Sequence, residues 1–330
     1  MNNLKDRKKI IDLLTNNMIV ILLVFLVIYV SFTQDGFFSW RNFHNISVNV
    51  SPRFIIALGV SGCLITKGTD LSAGRAVGLG GVLAATLLQR ADYSGRMFQN
   101  LPELPLIVIL LIVVAVCALF GLLNGAVISF FNVPPFLATL GMQTVIYGIN
   151  LVYSGAEPIG GLRKDFTQLA TKEFLFFKYF FWFALIAGVV FWFLYNKTRH
   201  GKYMYAIGGN ESAAEVSGVN TVAEKLRIYT LAGAMYGIAG FLLTSKSGGA
   251  SVNLGMGYEL EAIAACTIGG VSTAGGVGTV PGILLGVLVF ELMKSSMQYL
   301  RIDTSYQYIV QGLVIIVAVA LDIRKYTAKK

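Results

Sequence analysis

Side chains that could act in catalysis or bind a metal are few, and they form no catalytic or metal-binding pattern. The two histidines, His44 and His200, have no metal-ligand partner at the usual spacing, so we expect both at the surface. No serine, cysteine or threonine stands in a nucleophile–base pattern. The ATP-binding P-loop pattern is absent, and the run from Gly276 to Pro281 lacks the last glycine of a dinucleotide-binding fingerprint. The sequence therefore predicts neither an enzyme nor a bound cofactor or metal.

Polar residues that interrupt apolar stretches are the remaining candidates for function. Asp70 and Ser72 stand in the run 68–74 (GTDLSAG), where either side chain can cap the following helix. Alternatively, the run is a helix break whose polar atoms face an aqueous path, as in transporters. Five residues near a break, or adding polarity to an apolar helix, are our candidates for a translocation path: Asp70, Ser72, Thr139, Met142 and Asn150.

Acidic residues near the apolar stretches bear on how transport would be powered. Glu259 and Glu261 begin a short apolar stretch, where they either lie at the membrane interface or line a cavity. Glu291 and Lys294 are three residues apart, so they are expected to pair on one helix. Ion-driven carriers usually hold an ionisable cluster in the middle of the membrane, and no acid stands clearly mid-span. An ion-coupled secondary carrier is therefore the less favoured alternative.

The composition places these residues in a membrane protein. Of the 330 residues, 55% are hydrophobic and 13% are charged, with a mean hydropathy of +0.69, whereas soluble domains carry roughly 25% charged residues. This excludes a typical cytosolic enzyme, a disordered chain and a disulfide scaffold. The net charge of +9 comes from basic residues at expected membrane edges, so no nucleic acid partner is predicted. Three isolated cysteines are expected to be buried: Cys63, Cys117 and Cys266.

Continuous apolar runs predict transmembrane helices rather than the alternating strands of a barrel. The second and eighth of ten predicted spans are short for a bilayer that needs about 20 residues. The spans are Met18–Phe32, Pro52–Thr66, Leu71–Arg90, Pro105–Phe131, Pro135–Ser154, Phe174–Asn196, Ile228–Ser245, Tyr258–Gly270, Val280–Tyr299 and Tyr306–Ile323. The fold class is therefore an all-α polytopic membrane protein with about ten transmembrane helices. Residues 1–330 are expected to form one transmembrane domain, with glycines four apart allowing close helix packing.

The basic residues also predict the orientation of the chain. An even number of spans puts both termini on one side of the membrane. That side, together with the segment 197–227, carries fourteen lysines and arginines, against seven on the other side. Arg53 is one of those seven, counted as a residue at the membrane edge. The positive-inside rule then places both termini and the segment 197–227 in the cytoplasm.

The segment 197–227 is the most informative polar connection. Asn210 is a good N-cap, and a short helix is expected over about Glu211–Ser217, ending at Gly218. On the cytoplasmic face, such a helix suits docking into a groove of a partner protein. The alternative is an ordinary amphipathic loop.

Four groups of residues have the pattern of one protein family. They are 206–210 (AIGGN) with 213–214 (AA) and 217–219 (SGV); 68–74 (GTDLSAG); 132–141 (NVPPFLATLG); and 261–266 (EAIAAC) with 269–272 (GGVS) and 275–279 (GGVGT). In these runs, and over nearly its whole length, the chain resembles the permease subunits of bacterial sugar ABC importers of the ribose, galactose and xylose type. It departs from the pattern at Pro281, which a first helical turn tolerates.

The resemblance implies a division of labour among subunits. A homodimer of this chain, in the bacterial inner membrane, would form the path between a periplasmic sugar-binding protein and a cytoplasmic ATPase subunit. Galactose or methyl galactoside is the expected substrate, with ribose or xylose as the alternative. The permease itself would hold no ATPase site and no cofactor. Residues expected to couple it to the ATPase are Gly208, Gly209, Asn210, Ala213, Ala214, Ser217 and Gly218.

Overall fold

A computed structural model describes residues 18–327, and the regular secondary structure of this part of the chain is almost entirely helical. The predicted orientation of the two termini rests partly on residues outside these bounds, among them Lys5 and Lys330. The helices, numbered here in chain order, are α1 (Met18–Thr33), α2 (Trp40–Ile65), α3 (Ala73–Leu87), α4 (Leu106–Phe130), α5 (Pro135–Ser154), α6 (Lys164–Thr167), α7 (Tyr179–Lys197), α8 (Arg199–Gly209), α9 (Glu211–Val216), α10 (Thr221–Ser247), α11 (Tyr258–Ile268), α12 (Val280–Tyr299) and α13 (Thr304–Thr327). A 3₁₀ turn at Gln168–Ala170 and a two-stranded hairpin, β1 (Glu173–Phe174) and β2 (Phe177–Lys178), complete the fold.

Each predicted span coincides with one helix, but the two short spans have different explanations. The second is not short, because α2 begins at Trp40 rather than at Pro52. Ser39 caps it by accepting a hydrogen bond from the Asn42 amide at 3.1 Å, and Pro52 lies inside the helix. Polar residues in its first half masked this part of the helix in the hydropathy. The eighth is short: α11 has 11 residues and a length of about 16 Å. Seven helices of the described residues are long and apolar enough to cross a membrane.

Two long helices form the centre of the molecule. Helices α2 and α10, of 26 and 27 residues, pack antiparallel, with Gly59 against Tyr236 and Ala232, and Gly62 against Ile228. Each is followed by a break and then by a short helix, α3 or α11. The partners are exchanged: α10 packs against α3 and α4, whereas α2 packs against α11 and α12. The core is therefore formed by two sets of helices, α2–α5 and α10–α13, in which the long first helix of each set packs against helices of the other set.

Small residues make this close packing feasible. A Cβ on Gly121 would lie 2.1 Å from the Tyr229 carbonyl, and one on Gly233 would lie 2.3 Å from the Cys117 carbonyl. Gly286 of α12 packs in the same way on the Ala265 carbonyl of α11. These contacts confirm that glycines four apart serve helix packing. Gly278 is an exception, because it precedes α12 and packs against Ile65.

Two faces of the bundle carry the connections between helices. The first, called here the α9 face, holds α8 and α9, the end of α2 and the loop 269–279, where Gly276 donates to the Ile65 carbonyl at 2.8 Å. The opposite face holds the segments 88–105 and 155–178. An isolated bridge between Gln89 and Leu162 joins these two segments, and a second bridge, between Ile159 and Ala250, joins the later segment to the residues after α10. A helix that runs between these faces crosses the bundle.

The three cysteines are fully buried, as predicted, and they are unpaired. His44 is not at the surface, contrary to the prediction. Its side chain is 6% exposed, and its ring lies edge-on to Trp40 with 4.8 Å between centroids. His200 is also mostly buried, with Nδ1 in contact with a Glu224 carboxylate oxygen. Helix α2 turns His44 inward because it begins well before the apolar run.

Candidate functional site

The break between α2 and α3 is closed by a buried hydrogen-bond network around Asp70. Asp70 Oδ1 accepts from the Ser72 amide at 3.0 Å and from the Ser72 hydroxyl at 2.6 Å. Asp70 Oδ2 accepts from the Tyr236 hydroxyl of α10 at 3.0 Å, and Asn124 of α4 donates to Ser72 Oγ at 2.9 Å. Asp70 is fully buried, so its carboxylate joins the start of α3 to two other helices.

Thr139 of α5 supports the same break from another side. Its hydroxyl accepts from the Leu71 amide at 3.0 Å and donates to the Thr69 carbonyl at 3.2 Å. These two backbone groups have no helical partner at the break, so the threonine replaces the missing helical bonds. Three of the five path candidates, Asp70, Ser72 and Thr139, are thus brought together.

The other two path candidates lie apart from the break. Asn150 is three helical turns further along α5, fully buried, and its side-chain nitrogen and oxygen have no partner among the described residues. Its Nδ2 lies 3.7 Å from the position of a Cβ on Gly78 of α3. Met142 is half-buried against the core. In the single chain, therefore, Asn150 packs α5 onto α3, and the role of both residues in a path stays a prediction.

The break between α10 and α11 lies against the start of α3. The segment 248–257 leaves the end of α10 at the opposite face and reaches α3, where a Cβ on Gly74 would lie 2.4 Å from the Gly255 carbonyl. The Glu259 carboxylate meets the same glycine: its Oε2 would be 2.0 Å from that Cβ. The first turns of the two short helices thus touch, and only glycine at position 74 leaves room for the contact.

A buried network of charges holds the start of α11. Glu261 accepts from Lys294 of α12 at 2.6 Å and from the Arg53 Nε of α2 at 3.3 Å. Arg53 also lies 3.4 Å from Glu291 of α12. All four side chains are at least four-fifths buried. Removing one partner from such a network would leave an unpaired charge inside the bundle, which is costly.

These contacts correct three expectations. Glu291 and Lys294 do not pair with each other, because each reaches across to a different helix. Arg53 is not at the membrane edge, since it lies near the middle of α2. Glu261 and Glu291 are acids inside the bundle, contrary to the reading that no acid stands mid-span, although their basic partners compensate them. Spacing along the sequence identifies possible charge partners on one helix, but it cannot identify charge partners on neighbouring helices.

The α9 region has the local structure that its sequence predicts. Asn210 caps α9, with Oδ1 accepting from the Ala213 amide at 3.1 Å. The Ser217 hydroxyl donates to the Ala213 carbonyl at 2.8 Å. Gly218 has φ +86°, a left-handed conformation that favours glycine and ends the helix. Helix α9 covers Glu211–Val216, so the predicted helix and both of its end signals are confirmed.

Close contacts anchor the α9 region to the bundle. A Cβ on Gly208 would lie 1.8 Å from the Ile65 carbonyl and 2.5 Å from the Gly276 amide nitrogen. Lys67, which directly follows α2 and its cap, donates to the Gly209 carbonyl at 3.1 Å. The Tyr205 hydroxyl donates to the Gly278 carbonyl at 2.7 Å, and burial raises the pKa of Tyr205, so it stays a donor. The α9 region is therefore joined directly to the end of α2 and to the loop 269–279.

The outer surface of α9 is not covered by any of residues 18–327. Ala214 faces inward and is buried, whereas Ala213 and Ser217 are exposed. Val216 is 91% exposed, an apolar side chain presented to the surroundings of the α9 face. A capped helix with an anchored inner side and small or apolar outer residues has the features of a docking element.

Two long spans, each followed by a break and a short helix whose start is held by a buried polar network, are typical of a polytopic transport protein of the permease class. The comparisons with known proteins agree. The chain belongs to the family described as the permease component of the branched-chain amino acid transport system, whose model matches residues 42–319. This is a family of transport subunits rather than of enzymes. No solved structure matches the chain significantly.

Relatives with assigned names are import permeases for sugars. The chain is 45% identical to the galactose/methyl galactoside import permease protein MglC of Haemophilus influenzae, covering 98% of this chain and 99% of the relative. It is 44% identical, with the same coverage, to MglC of Escherichia coli strain K12. It is 34% identical to the ribose import permease protein RbsC of Haemophilus influenzae, covering 92% of this chain and 91% of that protein.

Sequence reasoning missed two sets of functional candidates. One is Arg53, whose only signal was a basic residue directly after Pro52 in an otherwise apolar run. The other is the pair of Arg75 and Tyr147. The guanidinium carbon of Arg75 lies 4.1 Å from the centroid of the Tyr147 ring. The signal there was an arginine inside a predicted span, which is rare without a functional reason.

Proposed function

We propose that this chain is the transmembrane permease subunit of an ATP-driven importer for galactose or methyl galactoside. The observation that carries the proposal is near-full-length identity of 44–45% to the galactose/methyl galactoside permeases. The two breaks that follow long spans and the anchored α9 support it, because they supply a path element and a coupling element. Ribose is the second candidate, favoured by the 34% identity to a ribose permease.

Under this proposal the chain works with three kinds of partner. A cytoplasmic ATPase subunit docks on α9. The residues that contact this subunit, or that transmit its movement to the bundle, are Gly208, Gly209, Asn210, Ala213, Ala214, Ser217 and Gly218. A periplasmic sugar-binding protein docks on the opposite face, where 92–103 and 155–173 are the candidate segments. A second copy of the chain completes the path, and the whole of residues 1–330 acts as one transmembrane domain.

The proposed orientation puts the α9 face and both termini in the cytoplasm. Basic residues on the α9 face support it, among them Lys67, Lys197, Arg199 and Lys202. With Arg53 moved from the edge into α2, the basic residues on the opposite face become fewer, which increases the bias. The location is the bacterial inner membrane, in keeping with the helices that are long enough to cross it.

The proposed mechanism is alternating access driven by the partners. ATP binding and hydrolysis move the ATPase subunits, and α9 moves with them. Gly208 and Lys67 pass the movement to the end of α2, and α2 holds the start of α11 through Arg53. The partners need only bind the inward-open and outward-open states with different affinities to drive the cycle.

The test is co-purification followed by reconstitution. The chain is purified with an affinity tag from its native membrane, and its partners are identified by mass spectrometry. A co-purifying ATPase and ATP-dependent uptake of labelled galactose by the reconstituted complex are expected. A chain that purifies alone and transports sugar along an ion gradient without ATP would contradict the proposal. Competition by unlabelled ribose, xylose and methyl galactoside then ranks the sugars.

A further inference from the structure

A polar cluster at the start of α3 faces outward from the chain. Arg75 donates to the Val252 carbonyl at 3.0 Å and lies over the ring of Tyr147 at 4.1 Å. Glu259 meets the neighbouring Gly74. Arg75, Tyr147 and Glu259 are only half-buried, and Asn253 in the same break is exposed. These groups lie in front of the buried Asp70 network and take no part in it.

The depth of the cluster follows from the packing of α3 on α10. Gly80 packs against Gly237, and a Cβ on Gly240 would lie 2.3 Å from the Val77 carbonyl. Helix α10 has 27 residues and a length of about 40 Å, compared with about 30 Å of hydrocarbon. Gly237 and Gly240 both lie within its central part. Arg75, about half a turn before Val77, therefore lies at membrane depth.

Lipid is an unfavourable neighbour for such a cluster. A charged side chain at membrane depth faces a bundle interior or a water-filled cavity, because lipid gives it no partner. Apolar side chains nearby cannot supply the hydrogen bonds that these charged groups need. The flanking Met256 does not shield them either, since it is itself 66% exposed. The surface in front of Arg75 and Glu259 therefore requires water or polar protein groups beside it rather than lipid.

The chemistry of the cluster fits a neutral polyol. A guanidinium offers several N–H donors and a carboxylate offers acceptors, and a sugar hydroxyl can pair with either. One positive and one negative charge balance, so the cluster favours neither an anion nor a cation. The Tyr147 ring and the Val252 carbonyl hold the guanidinium in place, which lowers the entropy cost of contact with a passing solute.

We infer that Arg75, Tyr147 and Glu259 line the water-filled part of the translocation path and contact the hydroxyl groups of the sugar in transit. This inference rests on the proposed function. It assigns the path to a surface one layer outside Asp70, Ser72 and Thr139, which instead position α3.

Cysteine accessibility tests the aqueous path directly. The native cysteines are fully buried, so the unmodified chain is a silent background. Met256→Cys is compared with Leu119→Cys on α4, a residue that is 52% exposed and lies at similar depth. Each variant is labelled in the assembled complex, which contains two copies of the chain, in open membrane fragments. A charged, water-soluble methanethiosulfonate reagent is expected to label Met256→Cys at least about ten-fold faster, because the thiolate forms in water and not in lipid. Equal rates overturn the inference.

Transport kinetics test the contact with sugar. Arg75→Gln and Glu259→Gln are each expected to raise the KM for galactose uptake at least about ten-fold, while the ATPase activity of the complex is retained. Arg75→Lys should recover part of the loss, since one N–H donor group remains. An unchanged KM in both glutamine variants overturns the contact. If the unmodified complex takes up no galactose, the proposed function fails, while the labelling difference still reports on the path.

Discussion

Lys294 Nζ donates a hydrogen bond of 2.6 Å to Glu261 Oε1 and so joins α12 to the first turn of α11. The other break has a counterpart, in which Tyr236 of α10 donates to Asp70 at 3.0 Å. Each short helix is thus fixed at its start by an acid bonded to a neighbouring helix. At the first junction, between α2 and α3, the donor from a neighbouring helix is the neutral Tyr236 hydroxyl. At the second junction, between α10 and α11, the donors are two cations, Arg53 and Lys294. The two breaks are therefore expected to respond differently to substitution.

Removing the acid of the second junction should destabilise the chain strongly. Glu261→Ala leaves Arg53 and Lys294 without their shared partner inside the bundle, a loss of about 3–5 kcal/mol. Thermal unfolding in detergent measures it. The double variant Glu261→Leu with Lys294→Leu should be closer to the parent than Glu261→Ala is, because only Arg53 then loses a partner and Glu291 still compensates it. A double variant that is less stable than Glu261→Ala would contradict the pairing.

Removing the donor of the first junction should have a smaller effect. Tyr236→Phe keeps the ring and leaves Asp70 Oδ2 without its bond from α10, at a cost of about 1–3 kcal/mol. Tyr29→Phe is the control, since Tyr29 is 58% exposed. Both variants are compared by thermal unfolding of the purified chain. Equal stability of the two would show that the Asp70–Tyr236 bond is not needed.

The contact between the two short helices should not tolerate a methyl group at position 74. In Gly74→Ala the new Cβ would meet the Gly255 carbonyl and the Glu259 carboxylate, and overpacking of this kind costs about 1–3 kcal/mol. Gly312→Ala on α13 is the control, because no described residue lies within 4 Å of a Cβ there. The amount of folded chain in the membrane and its unfolding temperature are the measurements. Equal values for the two variants would contradict the close contact.

Changing the outer surface of α9 should uncouple transport without harming the fold. Ala213→Arg places a large charge at an exposed position, so the membrane content is expected to stay within about two-fold of the parent, since surface substitutions are usually tolerated. Sugar uptake per ATP hydrolysed is expected to fall at least about ten-fold. Ser212→Ala, on the same short helix, is the control that should retain uptake. Normal uptake by Ala213→Arg would remove α9 from the coupling role.

Disrupting the contact between α8 and the end of α2 gives an independent test of how movement of α9 is transmitted. Gly208→Ala would force a Cβ against the Ile65 carbonyl, which separates α8 from the end of α2. ATPase activity should persist while uptake falls, because the docking surface is intact and the link behind it is not. Gly312→Ala on α13 is the control, because no described residue lies within 4 Å of a Cβ there and it is outside the α9 region. Equal uptake by the two variants would contradict this route of transmission.

The sequence by itself determined the fold class, the ten helical segments and the α9 region. Apolar runs locate helices because lipid and core both require satisfied backbone groups, and this requirement is local. Asn210 and Gly218 set the ends of α9 for a similarly local reason: a cap needs one side chain, and a left-handed turn needs one glycine. The motifs of these runs were also sufficient to place the chain among the sugar permeases, as its relatives then bore out.

Only the tertiary structure decided which polar residues meet. Arg53, Glu261 and Lys294 lie on three helices, so no spacing along the chain could pair them, and Glu291 with Lys294 looked like the natural pair. The start of α2 was missed in the same way, because polar residues of its first half, such as Asn42 and His44, are buried only by tertiary packing. The contact of Gly74 with Gly255 and Glu259 likewise depends on how two breaks meet. Periodicity and caps act within a few residues, whereas the charge partners and the depth of Arg75 depend on how distant helices pack.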